Sequence, residues 1–179
     1  MTNLPTQEEI EKTSEVLRRL PRGFLPLPIF LALAEKIVLP TLELAPLRLN
    51  KIGTLEVLLT RRPADDPYWP NGWHIPGSVL RATDEEGSYT SIFKRILEGE
   101  LHGDLNVIGT PEHVTTRFHE VARGREIDQI YFIEVENNMK PLTEGAFFAV
   151  DNLPAEILDH YKEIIPQIIE AYQSYKKLI

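Results

Sequence analysis

Runs of apolar residues predict the strands of a sheet. Residues 41–49 and 55–60 are two such runs, and the turn residues 50–53 between them predict a hairpin. Residues 128–135 are apolar on both faces, which is typical of a central strand. Further strands are predicted at residues 106–109, 114–119 and 145–150.

Helical spacing of apolar residues predicts a first helix that is capped by Thr6 or Thr2 and ends before Pro21. A short buried helix is expected at residues 29–34. No catalytic chemistry is visible in residues 1–40, and a dimer contact and a lid over a site are both open roles for them. The predicted inner face of the first helix comprises Ile10, Val16, Leu17 and Leu20.

The closing helix is predicted over residues 154–179, with Asp151 or Asn152 as its cap and Pro154 near its first turn. Pro166 should kink that helix or split it. Because helices precede, interrupt and follow the strands, we expect an α/β fold with a mixed sheet between layers of helices.

A third helix is predicted over residues 88–101, and it carries a carboxylate in an unusual position. At about 100° per residue, Glu100 falls in the middle of the apolar stripe. An unpaired carboxylate that points at a core is costly, so Glu100 must turn out to solvent, pair with a base or bind a cation. The stripe consists of Ile92, Phe93, Ile96, Leu97 and Leu101.

Length and composition restrict the classes of function. A chain of 179 residues favours one domain. The net charge of −8 argues against a nucleic-acid partner that is bound through its phosphates, and the absence of cysteine excludes disulfides and thiolate chemistry. The polar, acidic N-terminus is unlike a signal peptide, and no apolar run is long enough to span a bilayer. We therefore expect a cytoplasmic protein with no membrane partner.

The stretch from Gly72-Trp73-His74-Ile75-Pro76-Gly77 to the helix Phe93-Lys94-Arg95-Ile96-Leu97-Glu98-Gly99-Glu100-Leu101-His102 resembles the Nudix box. Its closest likeness is to the GDP-mannose mannosyl hydrolase subgroup, which Leu58-Leu59-Thr60-Arg61-Arg62 also resembles. The likeness covers about residues 40–154. It implies a Nudix-like α/β/α sandwich in which residues 1–40 are a helical extension, 41–153 the core and 154–179 the C-terminal helix.

The chain departs from the family pattern at several positions. Ser78 replaces the second glycine of the turn, and the segment from Ser78 to Arg95 is three residues longer than in the family. Two of the three helix positions that carry Glu in the family are Ile96 and Gly99. Glu100 is the one carboxylate that remains at these helix positions.

The resemblance implies a Mg²⁺ site, with Mn²⁺ as the alternative ion. The Gly77 carbonyl and Glu100 are the expected ligands, with Glu144 or Glu86 as a further ligand. Mg²⁺ needs only one or two carboxylates when a substrate phosphate completes its shell. The alternative for Glu86 is a solvated acidic loop, and the alternative for Glu100 is an ion pair.

Other polar residues are candidates for contacts with substrate. Arg62 and Arg81 would donate to phosphate oxygens. Trp69 would stack on a base or sugar, or else cover the edge of the core. His119 and Glu120 are candidates for a general base, although a lone histidine at a strand end is more often a surface residue.

The resemblance implies hydrolysis of a nucleoside diphosphate that is linked to another moiety, for example in a nucleotide sugar. Water attack would be assisted by the cation, and Glu100, His119 and Glu120 would be the catalytic residues. The missing box glutamates favour an alternative, which is an inactive Nudix-fold module that binds a nucleotide or a protein.

Overall fold

The computed structural model describes residues 4–99, 101, 106–137 and 145–178. This part of the chain contains four helices and seven strands. The helices are α1 (Gln7–Arg19), α2 (Leu27–Ala34), α3 (Thr90–Gly99) and α4 (Asp159–Lys176). The strands are β1 (Leu39–Leu49), β2 (Leu55–Arg61), β3 (Trp73–His74), β4 (Gly77–Val79), β5 (Val107–Val121), β6 (Gly124–Val135) and β7 (Gly145–Ala149).

All seven strands form one mixed sheet. The main order is β3-β2-β1-β6-β5, while β4 pairs with β1 and β7 pairs with β2. β1 and β6 are parallel, and the remaining pairs are antiparallel. Leu47 lies opposite Val57 in the β1–β2 pair, which confirms the predicted hairpin. The predicted α/β class with a mixed sheet is also confirmed.

β5 replaces two of the predicted strands. Residues 106–109 and 114–119 were expected to be separate strands, but one strand runs from Val107 to Val121. Its pairing with β6 shifts register between Ile108 and Glu112 and again between His113 and Thr115. Such bulges disturb the alternation of side chains without ending the strand, so the sequence pattern was misread.

α4 begins at Asp159, so the prediction of a helix from residue 154 was wrong at its start. The residues before the helix pair with β3 instead: the Trp73 N–H donates to the Glu156 carbonyl, and the Leu158 N–H donates to the Trp73 carbonyl. Pro166 lies inside a helix that is not split.

The N-terminal helices pack less than their patterns predicted. Thr6 caps α1 and forms a reciprocal capping box with Glu9, as expected, but no residue of α1 is buried. In α2 only Ala34 is buried, although a buried helix was predicted. A helical period shows that an apolar stripe exists, but it does not show what covers the stripe. None of the described helices has the length and apolar content that crossing a bilayer requires.

The sheet buries a separate apolar cluster on each face. The cluster under α4 contains Ala45 and Leu47 of β1, and the cluster under α3 contains Leu42 and Leu44 of the same strand. This is the alternation expected for a strand that is covered on both sides. Toward the N-terminal end of β1 the face under α3 stays apolar, whereas the face under α4 carries Thr41 and Glu43.

Candidate functional site

A cleft of about 680 Å³ opens where the sheet face under α4 loses its apolar cover. Its floor is formed by β1 and β6, one wall by β4 and the loop after it, and the other wall by the start of α4. Residues of the N-terminal segment form its roof. Clefts of this size commonly hold a small-molecule ligand. Polar and charged residues that line it are Arg22, Thr41, Glu43, Arg62, His74, Ser78, Arg81, Arg123, Glu126, His160 and Tyr161.

The floor of the cleft brings together side chains from three adjacent strands. In the parallel β1–β6 pair, Thr41 lies beside Asp128, and in the β5–β6 pair Arg117 lies opposite Asp128 and His119 opposite Glu126. Directly paired residues share a face of a sheet. We call the cluster formed by Thr41, Glu43, Arg117, His119, Glu126 and Asp128 the polar floor.

Asp128 is the centre of the polar floor. It is 1% exposed, and its Oδ2 accepts from Arg117 at 3.2 Å and lies 2.5 Å from Nε2 of His119. The Thr41 hydroxyl donates to its Oδ1. A buried carboxylate is tolerated when cations and donors surround it in this way, so Asp128 organises the strand ends around it.

Glu43 is the buried carboxyl that the polar floor leaves partly unsatisfied. The Tyr161 hydroxyl donates to its Oε1 at 2.6 Å, but Oε2 is buried and has no hydrogen-bond partner among the described residues. Burial, and then the charge of Asp128, raises the pKa of Glu43 from 4.5 to about 8. The same burial raises the pKa of Tyr161 well above its ordinary value. Glu43 is therefore protonated at neutral pH.

Two guanidinium groups lie over the ring of Trp69 at the side of the cleft. Arg62 is 5.3 Å and Arg123 is 5.5 Å from the ring. Each is also held by a carboxylate, because Arg62 pairs with Asp66 at 2.6 Å and Arg123 donates to Glu126. Cation–π contacts and ion pairs together fix the orientation of these side chains, so this wall is rigid and carries paired charge.

Two histidines of the cleft are neutral at physiological pH. Burial, and then Arg117, lowers the pKa of His160 to about 4. Burial, and then Arg62, lowers the pKa of His74 to about 3. The ring of His74 contacts the Ile75 carbonyl at 2.9 Å and the Thr60 hydroxyl at 3.1 Å. Both ring nitrogens of His74 are thus engaged within the protein, and neither histidine adds positive charge to the cleft.

The structure brings four of the sequence-predicted site residues to the cleft, and a fifth to the polar floor. Gly77, Arg62, Trp69 and Arg81 line the cleft, and His119 belongs to the floor. Of the other predicted residues, Glu86 and Glu120 do not join them. Glu86 is exposed in the loop before α3, Glu120 is exposed and lies 3.6 Å from Arg125, and Glu100 and Glu144 lie outside the described residues.

The described part of α3 has no carboxylate that points toward the cleft. Ile96 is fully buried in the apolar cluster, and Gly99 has no side chain. Arg95 donates to Asp84 at 2.8 and 2.9 Å and also reaches Ser78 and the Val79 carbonyl. Arg95 thus ties the helix to the turn and to the loop that follows it.

Apart from His119, sequence reasoning missed the residues that form the polar floor. Glu43 interrupts a strand whose neighbours Leu42 and Leu44 are fully buried, and a charge in such a run was the available signal. Asp128 was visible only as the first residue of an apolar strand. The link between them depends on the parallel pairing of β1 with β6, which joins residues 87 positions apart.

One carboxyl oxygen beside Gly77 fits a divalent cation. A Cβ added to Gly77 would lie 3.0 Å from Cγ of Glu43, so the unsatisfied oxygen belongs to a neighbour of the turn. An oxygen with unmet capacity suits Mg²⁺, and the site fits the ion in that respect. A second group, His119, Glu126 and Asp128, has ligand atoms within 4.8 Å of one another. Arg117 and Arg123 already neutralise that group, which makes it an ion-pair network.

Comparisons of sequence give no relatives, whereas comparisons of structure do. No protein-family model matches the sequence, and no curated protein is significantly similar to it. NrtR of Shewanella oneidensis matches with a TM-score of 0.59 and 19% identity, over 76% of this chain and 64% of that one. The chain thus spans less than two thirds of full-length NrtR.

Two further solved structures are matched by this chain over almost their whole length. The NUDIX domain of S. oneidensis NrtR complexed with ADP ribose matches with a TM-score of 0.55 and 19% identity, over 83% of this chain and 99% of that one. The Ap4A hydrolase of C. elegans matches with a TM-score of 0.58 and 15% identity, over 76% and 99%. At these identities the likeness establishes the fold, and this protein has the fold of Nudix domains.

Proposed function

We propose that the protein binds a nucleoside diphosphate linked to a second moiety in the cleft and hydrolyses it with a divalent cation. The observation that carries the proposal is the cleft itself, which combines arginines, an aromatic ring and a partly unsatisfied buried carboxyl beside Gly77. Structures of the same fold have been solved with ADP ribose and as an Ap4A hydrolase, which supports this class of ligand. The resemblance to GDP-mannose mannosyl hydrolases makes a nucleotide sugar one member of the class.

Gly77, Glu43 and Glu100 would hold the cation, with Glu43 releasing its proton when the cation binds and with Glu86 or Glu144 as the further ligands that the family resemblance implies. A bound Mg²⁺ or Mn²⁺ supplies charge neutralisation at a diphosphate. The chain's own groups do the rest: Arg62 and Arg81 orient phosphate oxygens, and Trp69 presents a ring for stacking. His119 and Glu120 are retained as candidates for a general base, of which His119 is the nearer to the cleft floor.

Binding without turnover is the second candidate. It is favoured by the burial of Ile96 in an apolar cluster and by the lack of a side chain at Gly99, because these positions carry metal-binding glutamates in the family. Such a module would recognise a nucleotide or a protein. One solved NrtR structure contains a 27mer DNA, so the fold likeness gives no support for excluding nucleic acid. A homodimer and a cytoplasmic location stay predictions.

The test is a turnover screen of ADP-ribose, diadenosine tetraphosphate and nucleotide sugars with Mg²⁺ or Mn²⁺. We expect hydrolysis by the parent protein and a loss of about 100-fold or more in Glu100→Gln, because a metal ligand is removed. Glu98→Gln is the matched control, since Glu98 is exposed on α3, two positions before Glu100 in the sequence, and pairs with Lys94. Binding with no turnover by the parent would support the module, and absence of both would overturn the proposal.

A further inference from the structure

The roof of the cleft is formed by residues 17–30, which we call the N-terminal arm. The arm is seated on the body at two places. Arg22 donates to the Ala82 carbonyl at 3.3 Å, and the end of α2 meets the body where the Ala34 carbonyl approaches Gly124.

Two glycines make this seating possible. Gly23 has a φ of +85°, and a Cβ at that position would collide with the side chain of Thr83. Gly124 has a φ of +141°, and a Cβ there would collide with the Ala34 carbonyl. Glycine adopts such backbone conformations without steric cost and allows close approach. The arm therefore has a defined position over the cleft.

The arm presents apolar side chains that no other part of the described chain covers well. Phe24 is 65% exposed, Leu27 58% and Leu17 38%, and all three line the cleft. Their apolar area contributes little to folding while it stays in water. A ligand with an apolar group would bury that area, whereas a sugar would leave its own hydroxyls facing it.

Two arginines at the same edge of the cleft have no carboxylate partner among the described residues. They are Arg22 of the arm and Arg81, whose neighbour Ala82 accepts the bond from Arg22. The other cleft arginines, Arg62 and Arg123, are each paired with a carboxylate. In a chain of 27 acidic and 19 basic residues, two unpaired guanidinium groups at one edge indicate an anion-binding position.

We propose that the N-terminal arm completes the binding site and selects a diphosphate ester whose second moiety is apolar. Arg22 and Arg81 hold the diphosphate, and the apolar moiety packs against Phe24 and Leu27. This inference rests on the proposed function, because it takes the nucleoside diphosphate from there and specifies the group attached to it.

The test compares ADP esterified at its terminal phosphate with a methyl or an octyl group. Binding is measured by isothermal titration with EDTA present, which prevents turnover, and at ester concentrations below micelle formation. The parent should bind the octyl ester about tenfold or more tightly than the methyl ester, since the extra methylenes are taken out of water. Equal affinities would overturn the inference.

Variants of the arm separate the two contacts. Phe24→Ser and Leu27→Ser should each bring the octyl-to-methyl ratio toward one, whereas Ile52→Ser, at an 88% exposed position of the β1–β2 turn, should not. Arg22→Ala and Arg81→Ala should weaken both esters by about tenfold and leave the ratio unchanged. Arg19→Ala is the control, because Arg19 is exposed on α1 and does not line the cleft. An unchanged ratio in both serine variants would contradict the arm's role.

The same titrations distinguish this inference from the proposed function. If octyl diphosphate binds as tightly as octyl-ADP, the arm's selectivity stands and the nucleoside of the proposed function falls. If ADP-ribose binds and the octyl ester gains nothing, the proposed function stands and the inference falls. If none of the probes binds, either with EDTA or with Mg²⁺ added in excess, both are wrong.

Discussion

The two faces of β1 differ sharply near the cleft. On the face under α3, Leu42 and Leu44 are fully buried among apolar side chains. On the face under α4, the apolar positions Ala45 and Leu47 give way to Glu43 and then to Thr41, toward the start of the strand. One strand thus carries a closed hydrophobic layer on one side and a charged cleft floor on the other.

The buried charged residues indicate which face of the sheet carries the functional groups. The helical part of the motif that resembles the Nudix box lies on α3, yet the buried charged residues among those described are Glu43, Glu126 and Asp128, all on the α4 face. Burying a charge is costly unless partners surround it. The α4 face therefore carries the larger electrostatic cost, and its residues should respond most strongly to substitution.

The largest expected effect is that of Asp128→Ala. Removing this carboxylate leaves Arg117 buried without its ion pair and frees His119 and Thr41. Breaking a buried pair on one side typically costs about 3–5 kcal/mol. We expect a loss of that size in the free energy of unfolding, measured by urea denaturation.

The control for Asp128 lies on the opposite face of the same hairpin. Glu120 and Arg125 form an exposed pair 3.6 Å apart, and exposed pairs contribute little. Glu120→Ala should leave the urea midpoint unchanged. Similar losses in the two variants would show that the α4 face is not the special one.

Because of Glu43, the free energy of unfolding should depend on pH. Its pKa rises from 4.5 in the unfolded chain to about 8 in the folded protein, so below pH 4.5 both states are protonated. As pH rises toward 8 the unfolded chain ionises while the folded protein keeps the proton, and stability is lost over that window. Glu43→Gln keeps an acceptor for Tyr161 and removes the titration.

We expect the advantage of Glu43→Gln over the parent to grow by up to about 4 kcal/mol between pH 5 and pH 8.5 in urea unfolding. Glu98→Gln, at an exposed site, should show no such growth. A constant difference between Glu43→Gln and the parent would mean that Glu43 is already ionised in the folded protein.

Much of the fold could be predicted because local patterns specify it. The apolar runs of β1 and β2 and the turn between them indicate a hairpin without any knowledge of the rest of the chain. The start of α4 could not be predicted, because Glu156 and Leu158 bond to Trp73 of β3, more than eighty positions earlier. Contacts between distant segments override local helix signals.

The same limit applies to the site. Gly77 was identified through the family resemblance, and Arg62, Trp69 and Arg81 were identified as candidates for substrate contacts; all four line the cleft. Apart from His119, the polar floor was missed because its members lie on three strands, and strand register is not visible in a single sequence. The amphipathic period of α1 indicated an apolar stripe but could not show that the stripe faces a cleft.

The smallest expected effect is that of Arg95→Ala, which probes the α3 face. This side chain is 22% exposed and joins α3 to the loop through Asp84 and the Val79 carbonyl. Because it is partly solvated, we expect Arg95→Ala to cost about 1–2 kcal/mol in urea unfolding, less than Asp128→Ala. Lys94→Ala is the matched control, since its pair with Glu98 is exposed and 3.8 Å long and should contribute nothing measurable. If Arg95→Ala destabilised as strongly as Asp128→Ala, the two faces would carry equal electrostatic weight and the contrast between them would fail.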